Sequence, residues 1–129
     1  MDKAQALHSF WSSFGLTAVD ENSAYDDTVA ERLGLMDSYI TYEVMTGNYE
    51  YPVPLVASLW YRSQSWAAIS QKADEIADAI GVGGKVIKID NGYLWIKQRQ
   101  PFTTRLSVDG DYDMRRIMIY ITANFMTAV

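Results

Sequence analysis

Several clusters in this chain have residue types and spacings from which chemistry is built. Gly81-Val82-Gly83-Gly84-Lys85 has the glycines and lysine of a phosphate-cradling loop. Such a loop needs backbone N–H groups converging on the anion at a strand-to-helix turn, and a Ser or Thr after the lysine. Here Val86 follows the lysine and the segment trails a helical pattern, so it reads as a helix stop and turn. Asp109-Gly110-Asp111-Tyr112-Asp113 begins like a calcium loop. The sixth position is Met114 and the twelfth is Tyr120, where that loop needs a glycine for its sharp turn and a bidentate glutamate. An acidic turn is the expectation. His8 is the one histidine, which excludes a two-histidine metal motif and reads as a helix-edge residue. Asp26-Asp27 reads as a solvated pair, and Ser63 and Ser65 as helix caps before nucleophiles. No nucleophile, base and oxyanion donor come together in the pattern. With no cysteine, disulfides and thiolate sites are excluded. The residues therefore assign no catalytic, metal or cofactor site, imply no cofactor, and favour binding and assembly over an enzyme.

The elements that would carry any surface follow from periodicity. Residues 3–14 predict a short helix: Ala6, Leu7, Phe10, Trp11 and Phe14 form one stripe, with Asp2 as cap and Gly15 as stop. Residues 16–38 have little period and many acids, and predict a long acidic loop with a short helical turn near 28–36. Tyr39–Met45 alternates, with Ile40, Tyr42 and Val44 on one face, and predicts a strand. After a 46–52 loop, Val53–Arg62 predicts a second strand, with Pro52 and Pro54 confined to its start or an edge. Ser65–Ile80 predicts a helix whose buried stripe is Trp66, Ile69, Ala73, Ile76, Ala77 and Ile80. Asn91-Gly92 is the signature of a two-residue hairpin turn. That turn would pair Ile89 with Leu94 and Ile87 with Ile96 on one face, and Lys88 with Trp95 on the other. Residues 99–114 read as a polar connector, and Arg116–Phe125 as the last strand, with Ile117, Ile119, Ile121, Ala123 and Phe125 inward. The order α-β-β-α-β-β-β predicts an α+β domain over 1–129. Its mainly antiparallel sheet of about five strands would have two helices packed on one face. The other face would show Trp60, Trp95, Lys88, Lys97 and Tyr120, too aromatic for a face that meets only water.

Composition sets bounds. The 129 residues suit one domain and are 49% apolar, with sixteen acids against eleven bases and a net charge of −5. That balance argues against a general nucleic-acid binder. It is also uneven: residues 1–50 hold nine acids and two bases, residues 51–129 seven acids and nine bases. Unlike charge in two parts suits ordered stacking of subunits. No apolar run is long enough to span a bilayer, and the first fifteen residues lack the basic and apolar regions of a signal peptide. No membrane partner is expected.

Longer stretches carry a resemblance. Tyr39-Ile40-Thr41-Tyr42-Glu43-Val44, ASLWYRSQSWAAISQKADEI (57–76) and GGKVIKIDNGYLWIK (83–97) resemble the tail terminators of long-tailed phages and prophages of Gram-positive bacteria. These are also described as minor capsid or tail-completion proteins. Pro101-Phe102 with Arg105, and RRIMIYITANF (115–125), extend the likeness over roughly residues 10–127. The resemblance implies a small virion subunit, made in the host cytoplasm, that closes into a homo-oligomeric ring, a hexamer. The ring would cap the head-proximal end of the tail tube, stop tube growth and dock the neck. Implied partners are further copies of the chain, the major tail tube protein and a neck or head-completion protein. DNA would be only a transient passenger through the lumen.

Contacts are expected from the 46–52 loop (Tyr49, Glu50, Tyr51), from the outer sheet face and its ends (Trp60, Arg62, Lys88, Trp95), and from the 99–113 connector (Arg99, Phe102, Arg105, Asp111, Asp113). Two other readings are a neck connector or head-completion subunit, and a small-ligand-binding regulatory domain.

Overall fold

The computed structural model describes residues 1–47, 51–108, 110 and 113–127. The first helix, α1 (Lys3–Ser12), starts in a reciprocal cap. The Asp2 carboxylate accepts from the Gln5 N–H at 2.8 Å, and the Gln5 side chain accepts from the Asp2 N–H at 2.9 Å. Its stripe of Ala6, Leu7, Phe10 and Trp11 is buried.

Residues 16–38 are more ordered than the expected loop. They form strand β1 (Thr17–Asp20), a 3-10 turn (Ser23–Tyr25) and helix α2 (Asp27–Gly34). Asp26 and Asp27 are exposed, as expected, and Asp26 also caps α2: its carboxylate accepts from the Thr28 and Val29 N–H groups. Helix α2 packs chiefly on the 3-10 turn. Strand β2 (Ser38–Tyr42) follows and lies parallel to β1.

Strand β3 (Val53–Arg62) has the predicted bounds. Pro54 sits in it without harm, because β2 pairs with β3 only from Ala57 to Tyr61. Helix α3 (Ala67–Ile80) buries Ile69, Ala73, Ile76 and Ile80. Trp66 stands at its N-terminus without a side-chain cap, and the Ser65 hydroxyl accepts from the Ala67 N–H at 3.1 Å.

The hairpin of β4 (Lys85–Ile89) and β5 (Gly92–Leu106) keeps the predicted faces but not the predicted partners. Ile89 lies opposite Gly92, Ile87 opposite Leu94, and Lys88 opposite Tyr93 rather than Trp95. The turn is Asp90-Asn91, with Asn91 at φ 62. Gly92 is needed for a different reason: it pairs with Thr127, and a Cβ there would collide with the Met126 carbonyl. The two-residue shift preserves side-chain parity, so the apolar pattern alone does not detect it.

The expected connector 99–114 is instead largely strand. β5 runs to Leu106, and β6 (Met114–Thr127) is longer than predicted at both ends. Between Gln98 and Thr103 the ladder slips, leaving Arg99 to Phe102 facing Tyr120 alone. This wide bulge, which contains Pro101, hides the two-residue period from a sequence reading.

The architecture is α+β, with three α-helices and one six-stranded sheet among the described residues, in the order β1-β2-β3-β6-β5-β4. All neighbours are antiparallel except β1 and β2. The extra strand over the prediction is β1, and the extra helix is α2. Helices α1 and α3 share one core with Ile40, Leu55, Ala57, Leu59, Leu94, Ile96, Ile117, Ile119, Ile121, Ala123 and Phe125. Lys72 ties the helices by donating to the Phe14 carbonyl at 3.0 Å. No helix is long and apolar enough to cross a membrane among the described residues.

Candidate interaction surface

With the odd-numbered residues of β6 in the core, the even-numbered ones face away from α1 and α3. That outer face is half-buried by its own side chains, which assemble into cation-on-aromatic stacks. Arg116 lies over the Trp60 ring at 4.5 Å and donates from Nε to the Ser58 hydroxyl at 3.1 Å. Trp60 also stacks on Tyr39, with ring centroids 5.9 Å apart, and donates from Nε1 to the Thr41 hydroxyl at 2.9 Å. Burial raises the Tyr39 phenol above its usual range, partly offset by the charges of Arg62 and Arg116. Arg99, in the bulge, lies 5.3 Å from the centre of Tyr120. Lys97 lies 3.7 Å over Trp95. Aromatic rings held by cations and hydrogen bonds are ordered before any partner arrives, which lowers the entropy cost of docking.

The glycine-rich segment belongs to this surface. Trp95 Nε1 donates to the Gly83 carbonyl at 2.9 Å. A Cβ on Gly84, which sits at φ 87, would lie 2.5 Å from that indole nitrogen. The 81–85 segment thus seats an indole.

The expected contact residues divide. Trp60, Lys88, Trp95 and Arg99 lie on the outer face, but the cation over Trp95 is Lys97 and not Lys88, because the true register sets Lys88 beside Tyr93. Tyr51 is 73% exposed and lies two residues before β3. Arg62 is at the far end of β3, where its N–H donates to the Asp37 carbonyl at 2.7 Å. Phe102 packs against the core instead of projecting.

Arg105 lies on the helix side, 4.8 Å over Trp66 and 3.2 Å from the Ser70 hydroxyl. Arg115 meets Trp66 from 5.5 Å and donates to the Gln64 carbonyl at 2.7 Å. Gln64 in turn donates to Asp113 at 3.0 Å. This second cluster is separate from the outer face. Tyr49, Glu50 and Asp111 lie outside the described residues, as do Asp109 and Tyr112 of the acidic turn. The sequence analysis named Arg116 only as the first residue of the last strand. Its even-numbered position beside Trp60 in the β3–β6 ladder was the missing signal.

A cleft of about 550 Å³ lies between α1 and the ends of β1 and β2. His8 Nδ1 is 2.9 Å from the Tyr42 hydroxyl, and Ser12 Oγ is 3.3 Å from His8 Nε2. Asp20 also lines this cleft, its carboxyl held below the ordinary range chiefly by the Ser23 hydroxyl. Burial, aided by the Asp20 charge, pushes the Tyr42 phenol up to about 12. Ser12 ends α1, where free carbonyls rather than N–H groups gather and oppose a developing anion. The contacts on its two ring nitrogens orient His8. Among the described residues no three His, Cys, Asp or Glu side chains gather as a metal site.

No protein-family model, curated protein or solved structure matches this chain.

Proposed function

We propose that this chain is a structural subunit that closes into a ring and caps the head-proximal end of a phage tail tube, where it stops tube growth and receives the neck. The observation that carries the reading is the uncovered sheet face, dressed with the Trp60–Arg116, Tyr120–Arg99 and Trp95–Lys97 stacks. A bare face of ordered aromatics and arginines has the composition of binding hot spots. The stretches that resemble tail terminators include the strands and the indole seat that build it.

The physics of the role supports the same choice. Identical rings stacked head to tail have no internal stop, since each added ring presents the same face again. A cap must match the last tube ring on one surface and differ on the other. This subunit has two unlike surfaces, an aromatic sheet face and a helical face. Each contact in such a ring would bury on the order of 800 Å² per partner.

Deletion of the gene from its phage or prophage tests the role. Overlong or headless tails are expected; tails of normal length joined to heads would reject it. Cross-linking to the portal side rather than to tube protein would move the subunit to the neck.

A further inference from the structure

The two outermost strands differ in charge. β4 carries Lys85 and Lys88 and, among the described residues, has no strand on its outer side. β1 ends in Asp20, is followed at once by Glu21, and likewise has no strand beyond it among the described residues. Exposed edges are templates for pairing with another chain, and lysines on an edge bar indiscriminate pairing. We infer that the β4 edge of one copy pairs in parallel with the β1 edge of the next, so that a joined sheet runs through the assembly. The inference rests on the ring reading above and names the contact that would close it.

Direction follows from topology. In the sheet, β1, β2, β6 and β4 run one way and β3 and β5 the other. A neighbour that extends the sheet and keeps its helices on the same side must present β1 parallel to β4. Two-fold pairing of like edges would set lysine against lysine, or the Asp20–Glu21 corner against its own copy, and like charges facing each other across strands are destabilising.

Register follows from parity and charge. Ala18 pairs with Ile40 and is buried on the core face, so Val19 and Glu21 belong to the outer face. On β4, Val86 and Lys88 are the outer residues and Val86 is 56% exposed. Setting Val19 beside Val86 places Glu21 beside Lys88, an apolar pair followed by an ion pair. Sliding by two residues instead sets Glu21 beside Asp90 and loses both. The uneven charge of the sequence, acidic in its first fifty residues and basic in the strands that follow, thereby acquires a use.

The test exploits the absence of cysteine. Val19→Cys and Val86→Cys together place two thiols on strands about 4.8 Å apart, within disulfide reach. Oxidation of the double variant, alone and on tail tubes, is expected to give a ladder of covalent multimers. A mixture of the two single variants should give dimers only, and each single variant none. Rings seen by electron microscopy with the thiols unlinked would overturn the edge pairing and leave the ring reading standing. Dimers from either single variant alone would overturn it in favour of a two-fold contact. Absence of both rings and links, on and off tubes, would overturn both.

A charge exchange gives an independent reading. Lys88→Glu should raise the concentration needed for assembly by about fivefold, equivalent to about 1 kcal/mol, because the ion pair is lost and Glu21 then meets a like charge. Adding Glu21→Lys should restore it. Failure of the restoration in a folded double variant would refute the register.

Discussion

Replacing Trp60 with alanine separates the two roles assigned to the outer face, because the same side chain supports the fold modestly and docking strongly. In the subunit the change removes the stack on Tyr39, the cation–π contact with Arg116 and the hydrogen bond to Thr41. A stacked pair contributes about 0.5–1.5 kcal/mol, a half-exposed cation–π contact about 0.5–1, and a neutral hydrogen bond about 1. The expected loss is about 2–3 kcal/mol, against the roughly 5–15 kcal/mol by which a domain is stable. The variant should therefore fold, with its melting temperature lowered by about 6–12 °C for a chain of this size. Docking should suffer more in proportion. A central aromatic anchor is worth about 2 kcal/mol or more, which is about thirtyfold in affinity. Thermal melts and co-sedimentation with assembled tail tubes measure the two effects. Trp60→Phe, which keeps a ring and loses the N–H, should fall between wild type and alanine in both. If Trp60→Ala co-sediments with tubes at the wild-type concentration, the outer face is not the docking surface. If its melting temperature is unchanged, the stacks are not ordered in the free subunit.

The hairpin register makes a sharp prediction of its own. Gly92→Ala should cost about 1–3 kcal/mol, since its Cβ collides with the Met126 carbonyl between paired strands, whereas Asn91→Gly should stay within about 0.5 kcal/mol; denaturant melts reversing that order would restore the register read from the Asn91-Gly92 signature. Tyr42 governs an alkaline limit. Its folded phenol stays protonated to about 12 while the unfolded one ionises near 10, so the stability it contributes is whole below pH 10 and lost as the pH rises through about 12. Denaturant midpoints taken at pH 8, 10 and 11.5 should fall less steeply for Tyr42→Phe than for wild type, and equal slopes would refute the burial argument.

What the sequence discloses depends on whether a segment's partner is near and its period unbroken. Val53–Arg62 and the Ile69–Ile80 stripe were legible because each buries one face over several repeats. β1 was not, since it has four residues, one buried side chain (Ala18), and a parallel partner twenty-two residues away. The far half of β5 was hidden by its bulge. The outer-face residues Trp60, Lys88 and Trp95 were legible from alternation, but the cation assigned to each ring was not. Pairing Lys88 with Trp95 required a register that Asn91-Gly92 misreports, because Gly92 answers to the Met126 backbone and not to the turn. Phe102 looks like a surface residue in a polar stretch and packs on the core because that stretch is strand, while Arg105 stays exposed on the helix side, over Trp66 at the start of α3.

The central claim is that this chain works as a cap, and electron microscopy of tail tubes incubated with the purified protein tests it most directly. The account predicts a single added ring at one end of each tube and an end to further growth there. Tubes that stay bare and keep elongating, or that carry the protein along their whole length, would contradict it.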